Sequence, residues 1–303
     1  MNRGLHRYTL LLAGATFLLL IAGALVTSHD AGLATPDWPL SNGQVFPKMV
    51  GNLFWEHGHR LVATTVGLLT IGVAIYLKVS ERRVWVRRLG LVALLAVIAQ
   101  GILGGITVKW FLPLPVSAAH ATLAQLFFCT VVSLAVLTSP SWLGYQPTIE
   151  EKGSPALRHL GVAAAIAVFL QLILGAVLRH SATWDRFLPR ELVLAHIAGA
   201  ITVTVLLGGT AILTLRRHGQ TTYLARPAKL ALMLLGLQIG LGIAAYLTRL
   251  ASPADPQPLN PMIGITVAHV ACGAAVFATT IVLTLRAFRV LRAPAPAFEL
   301  APV

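Results

Sequence analysis

The sequence predicts an all-α polytopic membrane protein, eight transmembrane helices arranged as two homologous four-helix bundles. Three observations predict it. The 303 residues are 56% hydrophobic and 11% charged, with a mean hydropathy of +0.79, far from the composition of soluble domains. Apolar runs of about 20 residues, the length that crosses a bilayer, recur eight times along the chain. Odd-numbered runs end in related Gly-rich phrases, and even-numbered runs begin with a histidine.

In order, the first run, 8–27, follows a short basic tail, Met1–Arg7. It is longer than a signal-peptide core and lacks a cleavage site, so it reads as a membrane span. The loop His29–Phe54 comes next, punctuated by Pro36, Pro39, Gly43 and Pro47 and carrying Trp38 and Phe46. A loop of this length with its own apolar content reads as a lid. Runs 58–77, 89–108 and 116–137 complete a first unit, 1–140. A polar linker, 141–154, leads to runs 157–178, 192–215, 227–247 and 262–285 in a second unit, 155–303. The repeated phrases include Ile21-Ala22-Gly23-Ala24, Gln100 to Gly104, Gln171 to Gly175 and Gln238 to Gly242, and three even runs share an Ala-His pair at His120, His196 and His269. Both units start on the same side, so the repeats relate by an axis along the membrane normal.

The net charge of +13 does not gather into a stripe, which excludes a nucleic-acid surface. Sixteen of the 23 Lys and Arg fall in loops on one side, Lys152 among them; Lys48, Arg60, Lys109, Arg179, Arg186, Arg190 and Arg249 do not. The positive-inside rule then places both termini in the cytoplasm and the chain in the inner (cytoplasmic) cell membrane. Cys129 and Cys272 lie within spans and no CxxC occurs, so neither a disulfide in the outer loops nor a thiolate metal site is expected.

Chemistry concentrates at Trp55-Glu56-His57-Gly58-His59-Arg60. An ionisable cluster at the edge of a membrane helix is costly to keep, so function is its default reading. Glu56 and His59 are three apart and lie on neighbouring helical faces, whereas His57 and His59 point roughly 200° apart. His59 is therefore the histidine expected to share a pocket with Glu56. Even runs travel inward, so His59, His120, His196 and His269 are expected at one shallow depth in the outer half of the bilayer, two per unit. Zinc needs three or four ligands, and no third ligand recurs at matching places. Heme iron needs two axial ligands, and a four-helix bundle is a common frame for them. Small residues beside the histidines, such as Ala119, Ala195, Gly199, Ala268 and Gly273, leave room for a flat macrocycle and serve plain helix packing equally. Arg60, Lys109, Arg179 and Arg249 are placed to pair propionates. His180 is the further histidine nearest such a site; His29 and His57 sit at loops or helix ends, and His6, His159 and His218 on the inner side.

Gly23-Ala24-Leu25-Val26-Thr27, Asp37-Trp38-Pro39-Leu40, Phe46-Pro47 and Glu56-x-x-His59-Arg60, followed by single histidines in runs four, six and eight, together resemble the heme A synthase family. The resemblance covers about residues 8 to 285. It implies oxidation of the ring D methyl of heme O to a formyl group, giving heme A for terminal oxidase assembly. It implies a heme b cofactor between His196 and His269, heme O as substrate between His59 and His120, and an essential Glu56. It further implies heme O synthase (protoheme farnesyltransferase) and cytochrome oxidase assembly factors as partners in a lipid membrane, with the oligomeric state left open between monomer and homo-oligomer. One departure is visible: many bacterial members carry a cysteine pair in the first outer loop, and residues 31–42 contain none.

Two other readings fit the histidines. A membrane diheme b-type cytochrome would use all four as ligands but gives Glu56 no task. A heme carrier would need a path across the bilayer, which shallow sites on one side do not offer.

Overall fold

The computed structural model describes residues 2–151, 153–185, 188–250 and 260–293. Lys152 and Arg186 of the charge pattern, and the chain beyond 293, lie outside the described residues. Eight helices are long and apolar enough to cross a membrane. They are α1 (Arg3–Ser28), α2 (Asn52–Ser80), α3 (Val84–Lys109), α4 (Leu114–Leu137), α5 (Leu157–Asp185), α6 (Arg190–His218), α7 (Thr222–Leu250) and α8 (Asn260–Val290). The chain is thus a multi-pass membrane protein. Every helix overruns its apolar stretch, because polar ends extend a helix without altering its hydrophobic core. For α2 the difference matters: it begins at Asn52 rather than 58, so Trp55–Arg60 are helical and not the end of a loop.

α1 packs on α2 and α4, and α3 on α2 and α4; α5, α6, α7 and α8 repeat the same neighbours. Between the two sets α1 meets α8, α5 meets α4, and α4 meets α8. Exchanging the two halves of the chain maps this contact pattern onto itself. α4 and α8 are central, with 44% and 50% of their most apolar windows buried against 11% to 22% in the other six. Their shared core holds Phe17 against Phe128 at 5.7 Å and Phe169 against Phe277 at 5.9 Å between ring centres. Cys129 and Cys272 belong to that core as free, buried thiols. Buried hydroxyls are satisfied locally: Thr16, Thr70 and Thr280 each donate to the carbonyl four residues back, at 2.7, 2.7 and 2.8 Å, which lets them sit in an apolar helix.

Three short features escape a hydropathy reading. Thr204–Gly208 in α6 is one π-helical turn, Pro140–Leu143 is one helical turn capped by Ser139, and Ile149–Glu150 pairs in parallel with Leu291–Arg292. In the same corner Glu151 N donates to Arg292 O at 2.8 Å. The Glu151 carboxylate accepts from Leu157 N and faces Arg158 Nε at 3.6 Å. The linker is therefore tied to the start of α5 and the end of α8.

Candidate functional site

The four histidines at the repeated positions of the even helices have one seat each, and the seat repeats. His59, His120, His196 and His269 stand within the first three turns of α2, α4, α6 and α8. Each lays its Cε1 over a glycine of the preceding odd helix: Gly23, Gly104, Gly175 and Gly242. A Cβ added at these glycines would lie 3.2, 3.5, 3.2 and 3.0 Å from that Cε1. The Gly-rich phrases thus have a steric purpose, since a flat imidazole can approach the odd helix only where no side chain stands.

One turn before three of these glycines is a glutamine. Gln100 Nε2 donates to His120 O at 2.9 Å. Gln171 Nε2 reaches His196 O at 2.8 Å and the Nδ1 of that ring at 3.1 Å. Gln238 Nε2 meets His269 Nε2 at 3.2 Å. In α1 the corresponding residue is Leu19. In the second half of the chain, therefore, an amide touches each ring, whereas in the first half the one amide present holds only backbone.

The ring centres of His196 and His269 are 6.4 Å apart with planes at 67°. A metal ion held by both rings would need about 2.0 Å to one nitrogen of each, and ring centres this far apart leave room for it. The Nδ1 atoms of His59, His120 and His269 are buried without a hydrogen-bond partner, a condition that normally marks an absent ligand or a cost left uncompensated. Among the described residues no group of three or more His, Cys, Asp or Glu converges. The donor set therefore fits a group that takes two imidazoles, as heme does, better than a zinc that takes three or four side chains, and His196 with His269 would be the residues to hold it.

Glu56 and His57, both buried, fasten the loop between α1 and α2 over the head of α2. The Glu56 carboxylate accepts from Thr35 N at 3.0 Å and pairs with Arg60. Arg60 Nη1 also donates to Asp37 O at 3.0 Å, to Leu40 O, and to Ser41 Oγ at 3.1 Å. Arg60, expected from sequence to meet a propionate, thus has its guanidinium engaged by Glu56 and the loop. His57, for which sequence offers no role, takes part in the same clamp. Its Nε2 donates to Val45 O at 3.0 Å, which leaves Nδ1 to accept from Ser41 Oγ at 2.8 Å. His29 stacks on Trp55 at 4.0 Å, Lys109 Nζ reaches Pro36 O at 3.4 Å, and Arg179, next to His180, donates to Ser28 Oγ at 2.7 Å across to α1.

The loop has its own internal knot. Asp37 accepts from Asn42 N at 2.9 Å, Gly43 N at 2.8 Å and the Thr35 hydroxyl; Asn42 and Gly43 provide the left-handed φ of 53° and 71° that the turn needs. These donors, the Gly43 amide foremost, hold the Asp37 carboxyl far below the ordinary carboxylate range. A lowered folded value means the ionised form stabilises the knot at any pH above the unfolded value, and that this is lost as pH falls through the folded one. His57→Ala leaves Ser41 and Val45 without their buried partner, a loss of about 1–3 kcal/mol. Limited proteolysis within residues 33–50 should then quicken by about tenfold or more. In the unsubstituted protein, protection should persist through mildly acidic solution and disappear only well below the usual aspartate range. Equal cleavage in the variant would mean that the loop is held by other contacts.

The COX15-CtaA family model, described as cytochrome oxidase assembly protein, matches residues 48–185. The chain is 30% identical to a heme A synthase from Shouchella clausii, over 82% of this chain and 88% of the relative. It is 24% identical to a heme A synthase from Bacillus licheniformis over the same shares, and 24% identical to one from Geobacillus kaustophilus over 99% of this chain and 96% of the relative.

Proposed function

The chain belongs to the heme A synthase family, and on that premise we propose that its two halves divide the work, residues 1–140 receiving heme O and residues 155–303 holding a permanent heme b. The overall reaction converts heme O to heme A, replacing a ring D methyl by a formyl group, in support of cytochrome oxidase assembly. The observation that carries the division is the asymmetry between otherwise equivalent histidine seats. His196 and His269 are steadied through their rings by Gln171 and Gln238, which suits a resident group. His59 and His120 have no such amide on the ring, Gln100 reaching only the backbone carbonyl of His120, which suits a molecule that must enter and leave.

Methyl to formyl is a four-electron oxidation; written with water as the oxygen donor, R–CH3 + H2O gives R–CHO, four protons and four electrons, so protons and electrons must both leave the first site. Heme b, held by His196 and His269, would supply one-electron transfer. Glu56 is the acidic group one helical turn before His59, and its role is to accept protons from the reacting methyl or to face positive charge that develops there. Arg60 and Thr35 N fix that carboxylate, and the loop covers it from water. In this reading Arg60 serves the substrate through Glu56. Heme O synthase supplies the substrate, assembly factors of the oxidase receive the product, and the histidine end of the bundle faces outward with both termini in the cytoplasm.

Expressing the chain in cells that make heme O but lack heme A, then extracting hemes for mass analysis, tests this. Heme A or its alcohol intermediate is expected; unaltered heme O beside a folded, reducible b-type protein would overturn the synthase reading in favour of electron transfer. The glycine seats give a graded check. Gly242→Ala, at 3.0 Å, should lower the heme content of purified protein most, Gly23→Ala and Gly175→Ala, at 3.2 Å, less, and Gly104→Ala, at 3.5 Å, should be silent. An effect of Gly104→Ala equal to that of Gly242→Ala would mean that imidazole seating does not govern retention.

A further inference from the structure

At the end of the bundle opposite the histidines, two adjoining cavities share Arg226 and Arg286. One, of about 460 Å³, is polar and lined by Ser141, Gln146, Thr221, Thr222 and Tyr223. The other, of about 220 Å³, is mainly apolar and lined by Pro227, Leu230, Thr279 and Val282. The sequence builds the corner through a proline. Pro227 lies inside α7 and has no N–H to give to the carbonyl of Tyr223 four residues back. Arg286 Nη1 of α8 takes that place, donating to Tyr223 O at 3.0 Å with its guanidinium 4.7 Å from the Tyr223 ring centre.

Among the described residues, no negative charge pairs with the arginines of this corner, Arg226, Arg286 and Arg289. Arg286 Nε, Arg289 Nε and the Tyr223 hydroxyl are buried donors with no hydrogen-bond partner among the described residues. Two guanidiniums held beside one cavity repel each other, and unpartnered buried donors are costly. Both costs are relieved by the same thing, an anion with several acceptor oxygens. A phosphate fits, since guanidinium forks match its oxygens. The apolar cavity that opens from the same two arginines along α7 and α8 matches an alkyl chain.

We propose that this corner is a binding site for an anionic phospholipid, its phosphate between Arg226 and Arg286 and an acyl chain in the groove past Pro227 and Leu230. The assignment does not depend on the heme reading. Basic pockets between membrane helices are a recognised place for anionic headgroups, and this end also carries the basic loops. Bound there, a lipid would join α7, α8 and the linker at Ser141 and Gln146.

Native mass spectrometry of the full-length protein in detergent, with phosphatidylglycerol, phosphatidylcholine or inorganic phosphate added, tests it. One phosphatidylglycerol should be retained in preference to phosphatidylcholine, and millimolar inorganic phosphate should not displace it. The double variant Arg226→Gln/Arg286→Gln should reduce retention about tenfold or more. Should that variant fail to fold, Leu230→Trp, which fills the groove and keeps both arginines, should lower lipid retention by itself. Equal retention of phosphatidylcholine, unchanged retention in both variants, or displacement by phosphate with no effect of Leu230→Trp would each overturn the lipid assignment, the last in favour of a free phosphate.

Discussion

Glu56→Ala is expected to lower heme O conversion by about a hundredfold or more while leaving the heme of the second half in place. The carboxylate stands at the head of α2, one helical turn before His59 and held by Thr35 N and Arg60, in the half of the chain whose seat histidines have no amide on their rings. Alanine also removes the partner of Arg60 and of Thr35 N, so a loss of activity could come from a loosened loop. Glu56→Gln separates the two causes. An amide oxygen can still accept from Arg60 or Thr35 N, yet it cannot take up a proton at the reacting methyl. Conversion should stay low in Glu56→Gln while protection of residues 33–50 from protease returns to normal. If Glu56→Gln recovered conversion together with protection, Glu56 would be a positioning residue for the loop and not a proton acceptor. In either variant the b-type absorbance of the second heme should be unchanged; its loss would show that Glu56 supports the whole fold.

Hydropathy made the eight spans legible, because a membrane helix must be apolar over a length that physics sets. The same argument could not find the ends. Trp55–Arg60 looked like a loop junction because charge interrupts the apolar run, whereas the backbone continues helical from Asn52, its charged groups bonded to the covering loop. The histidine positions were legible as a repeat, and so were the Gln and Gly phrases. The purpose of those phrases was not, since sequence spacing within one helix says nothing about which neighbour presses against it. Gly23, Gly104, Gly175 and Gly242 acquire meaning only once each is seen beneath an imidazole. His57 was illegible for the same reason: its partners, Ser41 and Val45, come from a loop whose path no periodicity describes. The linker's pairing with Leu291–Arg292 is two residues long, too short for any pattern to precede it.

His269→Leu is expected to remove the b-type absorbance of the purified protein and to stop conversion, with heme O still held at the first site. Leucine has nearly the bulk of an imidazole and no lone pair, so the seat above Gly242 stays filled and the ligand is lost. His196 would remain with Gln171 on its ring, but one imidazole cannot replace two as axial ligands. His59→Leu should give the reverse: a normal b-type spectrum, no retained heme O and no product. The opposed outcomes follow from the different ways the two pairs are held. An amide nitrogen at 3.1 or 3.2 Å donates to the lone pair of the ring nitrogen it touches, so a metal at that nitrogen would replace it; what the amide gives beforehand is a fixed ring orientation, which leaves less freedom to lose on binding. A ring without that bond loses more freedom on binding and releases its guest more readily, which a site that must discharge product requires. Gln171→Leu and Gln238→Leu probe the difference without touching a ligand. They should bring heme retention in the second half down towards that of the first and leave the first unchanged. An unaltered b-type spectrum in His269→Leu would mean that the resident heme lies between His59 and His120, and the roles of the two halves would have to be exchanged.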